Sequence, residues 1–118
     1  MIKYHKLLNN KKVAEVMPGN SVSSAEEILD LIVETGYQDC IALILHSDSL
    51  HEDFFDLKTG LAGEILQKFS NYRMKLSIIG DFSAYESKSL QDFIRESNRA
   101  RTISFVKSLD EAFSRLVM

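Results

Sequence analysis

Asp56, Lys58, Thr59 and Gly60 fall together where the sequence marks the start of a helix, directly after the polar loop HSDSLHEDFFD. A hydroxyl at a helix N-terminus has two chemistries open to it. As an N-cap it accepts a hydrogen bond from an orphan amide; as a phosphoacceptor it carries a phosphate toward the helix's positive end, here beside Lys58. The loop itself holds His46, Asp48, His51, Glu52, Asp53 and Asp56, nitrogen and oxygen ligands enough for a divalent metal. A solvated loop carries the same residues, and no recognised spacing is present, such as two histidines one helical turn apart around a glutamate. No metal or other cofactor is therefore expected, and His46, Asp48 and His51 are the candidates should one bind.

A second polar group sits in GDFSAYESKS, where Asp81 and Ser83 follow a strand. Open parallel sheets place their binding loops there. Asp81 and Ser83 are expected to line one shallow site with Asp56, Thr59 and Tyr85, or else to hydrogen-bond only within their own turn. Arg95, Arg99 and Arg101 lie near a helix C-terminus, where cations are favourable with or without an anionic ligand. Other motifs fail on order or context. Lys58-Thr59-Gly60 runs opposite to a phosphate-binding loop, whose glycines precede its lysine. Ser104 and Lys107 have the Ser-x-x-Lys spacing of penicillin-binding enzymes, but they lie on and just after a strand instead of opening a helix. No serine or cysteine nucleophile sits in a recognisable elbow. Cys40, inside CIALIL, reads as a small core hydrophobe, and His5 is expected to face water from an edge strand.

The elements that must position these residues are legible from their periodicity. IKYHKLL and KKVAEVM, joined by Asn9-Asn10, read as a hairpin. After the breaker cluster PGNSVSS, Ser23 with Glu26 or Ser24 with Glu27 has capping-box spacing, and Ala25, Ile28, Leu29, Ile32 and Val33 form the apolar stripe of a helix ending at Gly36. CIALILH is too continuously apolar for a strand with one wet face and is placed at the centre of the sheet. Leu61, Ala62, Ile65, Leu66 and Phe69 mark the next helix; KLSIIGDF, SKSLQDFIRESNRA and TISFV give strand, helix and strand, the helix buried through Leu90, Phe93 and Ile94. Ser108 and Glu111 cap a last helix, whose stripe is Leu109, Ala112, Phe113, Leu116 and Val117. The order ββαβαβαβα predicts an α/β fold: a mixed sheet, mainly parallel, with the N-terminal hairpin as its antiparallel part and helices packed on it.

The bulk numbers agree with one soluble domain over residues 1–118. An apolar fraction of 45% and a charged fraction of 26% are ordinary for a globular chain, and at 118 residues roughly two thirds of the unfolded surface is buried on folding. The net charge of -3, with its basic residues scattered, argues against nucleic acid as a partner. A single cysteine excludes an internal disulfide and fits a reducing compartment. No apolar run approaches the roughly 20 residues that span a bilayer, and the N-terminus has no signal-peptide core. A cytoplasmic protein without membrane contact is expected.

Nearly the whole chain resembles STAS domains, the anti-sigma-factor-antagonist fold. The likeness is strongest in FFDLKTGLAGEILQKFSNYRMKLSIIGDFS, which follows the STAS succession of an acidic hydroxyl-bearing turn before a glycine, an apolar helix, a polar turn and an aliphatic strand. SFVKSLDEAFSRL resembles the closing strand and helix. Thr59 before Gly60 takes the place of the phosphorylatable residue, although Leu57 and Lys58 separate it from Asp56 by one residue more than the usual spacing. FFDLKTGLAGEILQKFSNY, GDFS, SKSLQDFI and ESNRAR are also similar to a bacterial family known as domain of unknown function 4180, which brings no activity with it.

The resemblance implies a non-enzymatic regulatory or protein-interaction domain, with a protein partner and a switch at Thr59; Asp56, Lys58, Thr59, Gly60, Asp81 and Ser83 are its expected regulatory and binding residues, and no catalytic residue is assigned. The alternative is a small-molecule- or metal-binding enzyme using the sheet edge near His46, His51, Asp56 and Asp81. A structural homodimer pairing through exposed apolar residues such as Tyr4 or Phe54 is the third reading. A phosphoacceptor receiver domain is disfavoured, because the hairpin lacks the acidic pair that should end its first strand.

Overall fold

The computed structural model describes residues 2–19 and 21–117; Asn20, in the breaker cluster, lies outside the described residues. Alternation of apolar and polar side chains produces the hairpin β1 (Ile2–Lys6) and β2 (Lys12–Val16), which pair antiparallel from Ile2 opposite Val16 to Lys6 opposite Lys12. Asn10 takes the left-handed turn between them, at φ 65°. The remaining strands, β3 (Cys40–His46), β4 (Lys75–Ile79) and β5 (Ile103–Val106), add in parallel to give the order β1-β2-β3-β4-β5. The sequence of elements and the mixed sheet are as the hydrophobic pattern predicts. β3 is the middle strand, and Ala42, Leu43, Ile44 and Leu45 are all fully buried, which is why its apolar run is unbroken.

Helices α1 (Ala25–Gly36), α2 (Leu61–Asn71) and α3 (Lys88–Ala100) share one core with the side chains that β2 to β5 turn to that face: Ala14, Leu43, Leu45, Leu76, Ile78 and Phe105. Helix α4 (Leu109–Leu116) alone covers the other face, through Ala112 and Leu116 against Val13, Ala42, Ile44 and Val106. Because side chains alternate along a strand, β2 gives Ala14 and Val16 to the first core and Val13 and Glu15 to the second. Ser77 and Ser104, opposite each other on β4 and β5, are buried on the α4 side. The edge of β5 is closed by Asn98 of α3, whose amide oxygen accepts from the Phe105 N–H at 2.7 Å and whose amide nitrogen donates to the Phe105 carbonyl at 3.4 Å.

Three expectations about side chains need correction. In α1 the buried residues are Ala25, Ile28, Ile32 and Thr35; Leu29 is half-buried, and Val33 is 42% exposed. The inner face follows the 25-28-32-35 track, and Thr35 is tolerated there because its hydroxyl donates to the Leu31 carbonyl at 2.7 Å. Phe54, expected as an exposed pairing residue, is fully buried in the first core. His5 does lie on the edge strand β1, but it faces the sheet surface beside α4 and meets the Phe113 ring edge-on at 5.0 Å. Cys40 is a buried free thiol as expected, and burial pushes its pKa up.

Candidate functional site

The loops leaving β3 and β4 form one rim at the C-terminal end of the parallel strands. The first descends through three single turns of 3-10 helix, at Ser47–Ser49, Glu52–Phe55 and Leu57–Thr59. The second and third turns are capped by side chains; the first has no side-chain cap. The His51 ring Nδ1 accepts from the Asp53 N–H at 3.1 Å, and the Asp56 carboxylate accepts from the Lys58 N–H at 3.2 Å. Thr59 ends the descent. Its hydroxyl donates toward the carbonyls of Asp53 at 2.6 Å and Asp56 at 2.9 Å, and accepts from the Leu61 N–H at 3.3 Å. Gly60 then turns at φ +80° into α2, with open space where a Cβ would be, so its value lies in the backbone angle alone.

The second loop is shaped by Asp81, whose carboxylate accepts from both the hydroxyl of Ser83 at 2.6 Å and its N–H at 3.0 Å. The hydroxyl bond, then the amide bond, hold Asp81 below the usual carboxylate range, and Lys107 adds to the effect. Gly80 is needed for a different reason than Gly60. A Cβ there would lie 2.7 Å from the Cβ of Ser47, so only glycine lets the two loops approach this closely. Gln91 of α3 pins the far side of the loop by donating to the carbonyls of Phe82 at 2.8 Å and Tyr85 at 2.9 Å.

Aromatic packing beneath the polar surface joins the two loops. Phe55 stacks on Tyr85 with centroids 5.0 Å apart and planes 19° from parallel, and Phe82 meets Phe105 edge-on at 5.1 Å. Burial, and then Asp48, raise the Tyr85 phenol pKa. Asp56, Lys58, Thr59 and Gly60 thus stand in one turn and Asp81 with Ser83 in another. Among the described residues, no hydrogen bond or ion pair links the two groups directly. Gly80, Asp81, Ser83 and Lys107 line an open concavity of about 550 Å3, and Lys107, at the end of β5, is the member that sequence reasoning did not place there. Arg95 lies against Asp92 at 2.7 Å on the surface of α3, and Arg101 takes the left-handed position that ends that helix.

His46 departs from the rim. It is the last residue of β3, and its Nε2 lies 2.7 Å from one carboxylate oxygen of Glu15 on β2. The other oxygen lies 2.9 Å from Nε2 of His5 on β1. One carboxylate, with its side chain only 6% exposed, therefore bridges two histidines across three adjacent strands. Burial raises the pKa of Glu15, but the hydrogen bonds from His46 and His5 and the positive charge those rings can carry outweigh it and bring it below the ordinary value. The signal for this cluster was present in KVAEV, a lone acid in an apolar strand, but only strand pairing shows which residues meet it. Among the described residues, no group of three or more His, Cys, Asp or Glu side chains is disposed to hold a metal ion. Asp48 is exposed, and His51 is engaged in its own turn.

Fold and rim together define an α/β domain with a mixed five-stranded sheet, three helices on one face, one on the other, and a loop-built polar rim. The chain belongs to the family described as domain of unknown function (DUF4180), whose match runs over residues 8–116. No curated protein and no solved structure matches it. No helix among the described residues is long and apolar enough to cross a membrane.

Proposed function

We propose that this chain is a non-enzymatic regulatory or protein-interaction domain of STAS-like type, working in a bacterial cytoplasm, whose rim recognises a protein partner and is switched by phosphorylation of Thr59. The observation that carries this reading is the position of the Thr59 hydroxyl: exposed, yet donating to two carbonyls of the turn that precedes α2. Phosphorylation removes that donor. It also sets two negative charges against the carbonyls of Asp53 and Asp56 and the carboxylate of Asp56, all of which repel them, while the α2 N-terminus and Lys58 attract them. The favourable arrangement for the phosphate is a reopened 3-10 turn, so modification changes the shape of the rim as well as its charge.

The test is to incubate the purified chain with ATP and an extract of its own cells, then map the products by mass spectrometry and hydrogen exchange. The expected result is a single phosphate on Thr59, faster amide exchange over residues 53–61, and a protein partner whose binding differs between the two forms. An unmodified Thr59, or a modified one with unchanged exchange, overturns the switch.

A second reading, a domain that binds and transforms a small molecule, is favoured by the concavity beside Asp81, Ser83 and Lys107, which offers both signs of charge and a hydroxyl. Screening small zwitterions and sugar phosphates for a thermal shift that Lys107→Ala abolishes, followed by a turnover assay, decides for or against it.

A further inference from the structure

Lys6 and Lys12 stand directly opposite each other across the β1–β2 hairpin. Like charges at facing positions of an antiparallel pair destabilise it, and here nothing in the fold neutralises them: among the described residues, no ion pair involves Lys6, Lys11 or Lys12. The three lysines line one cavity of about 540 Å3 at the end of the sheet opposite the rim, a volume within the range of small-ligand sites. Lys12 is half-buried, with its Nζ 5.3 Å from the centre of the Tyr4 ring. A chain of net charge -3 has thus gathered three cations against one acid, Asp39, in a single concavity. Glu34 of α1 contributes, after burial and Cys40, to raising the Tyr4 phenol pKa; even with its charge counted, the cations are in the majority.

Local backbone geometry sets the walls. Asn10 and Asp39 both hold the left-handed region, each at φ 65°. The hairpin turn is closed by the Leu7 N–H donating to the Lys11 carbonyl at 2.7 Å, the Asn10 N–H to the Leu7 carbonyl at 2.9 Å and the Lys11 N–H to the Asn9 side-chain oxygen at 3.0 Å. Beside it the β2–β3 ladder shifts by one residue: Lys12 pairs with Cys40 and Val13 with Ala42, which makes Ile41 the extra residue, and Ile41 lines the cavity. Irregularities of this kind re-aim a side chain next to a site.

The lining selects the ligand by its parts. Ammonium groups take phosphate as point charges, and three of them suit more than one phosphate group. The Asp39 carboxylate repels a bare anion but accepts from a hydroxyl. Tyr4 and Ile41 supply ring and aliphatic surface that an inorganic anion leaves unused. We infer that this cavity binds a nucleoside phosphate, its phosphates among Lys6, Lys11 and Lys12, a sugar hydroxyl donating to Asp39, and its base against Tyr4 and Ile41.

Isothermal titration calorimetry of the full chain with ADP at low salt tests it. The expected result is one site per chain, weakened by about tenfold or more in Lys6→Gln and in Lys12→Gln and unchanged in Lys88→Gln, which alters an exposed lysine of α3. Pyrophosphate and adenosine should each bind more weakly than ADP. Lys6→Gln should also raise the melting temperature of the free chain, because it removes one of two facing charges, and a loss of binding joined to a gain of stability is not what a damaged fold produces. Absence of binding at millimolar ADP overturns the inference. So does ADP binding that both lysine substitutions leave intact, pyrophosphate or adenosine binding as tightly as ADP, or a melting temperature that falls in Lys6→Gln.

Discussion

Where the parallel strands end, Phe54 and Phe55 are shut away beneath a surface of Asp56, Thr59, Asp81 and Ser83, and Tyr85 is only partly in water; where they begin, Tyr37 is 84% exposed and Tyr72 53% exposed around a groove. The two ends use the same kind of side chain for opposite purposes. At the rim, Phe54 and Phe55 anchor a long loop whose backbone has little regular structure, and the polar residues close its turns. At the other end the connections are short, the helices terminate without help from aromatic anchors, and the tyrosines are left over. Rings at the rim are thus committed to folding, and rings at the opposite end are available for contact. The largest effect that can break this contrast is Phe54→Ala. It should cost about 3–5 kcal/mol, because a fully buried ring is lost from the first core. Urea unfolding of the variant measures it, and a loss near that of a surface substitution would mean the loop is held by its turns alone.

The buried carboxylate between the two ends comes next. Replacing Glu15 by Gln removes charge-assisted bonds to His5 and His46 and should cost about 1.5–3 kcal/mol at neutral pH. The sign of its pH dependence follows from the lowered pKa. The folded chain holds Glu15 ionised below the ordinary value of 4.5, so its contribution is complete above that pH and is lost as the pH falls through the lower, folded value. The stability gap between the native chain and Glu15→Gln should therefore narrow below pH 4.5 in acid titrations followed by circular dichroism. A gap that widens there would reverse the assignment.

What the sequence revealed and what it concealed divide along the range of the interaction. β3 was legible because seven consecutive residues had to suit burial on both faces, and α2 because Ala62, Ile65 and Phe69 repeat at helical spacing. The turns of Asp56 and Asp81 were legible as local chemistry, since each carboxylate bonds a group two residues ahead. Glu15 was not, because its partners lie ten residues before it and thirty-one after it, and although the hairpin sets β1 beside β2, nothing along the chain says that β3 takes the other side. His46 was placed at the end of the strand CIALILH and also grouped with the polar loop that follows; the strand placement holds, and from it the side chain meets Glu15 instead of the rim. Phe54 was misplaced for the same reason: its neighbours in sequence are polar, while its neighbours in space are Phe55 and Phe105.

The two glycines of the rim sharpen the contrast between local and long-range design. Gly80→Ala should cost about 1–3 kcal/mol, the range for overpacking a close contact, and Ser47→Gly should recover much of it in a double-mutant cycle, because the obstruction is the Ser47 side chain. Gly60→Ala should cost about 1–2 kcal/mol, from the left-handed backbone alone, and no substitution of a neighbour should rescue it, since nothing lies within reach of the added methyl. Equal rescue of both would show that the rim is limited by crowding throughout.

The smallest expected effect on the isolated fold is the one that separates the two ends most clearly. Tyr37→Ala removes a ring that is already in water, so the stability of the monomer, measured at low protein concentration, should move by no more than about 0.5 kcal/mol. Phe54→Ala should behave in the reverse way, with a large loss from the core. A Tyr37→Ala chain as strongly destabilised as Phe54→Ala would place that ring in the fold after all, and the distinction between anchoring and exposed aromatics would go with it.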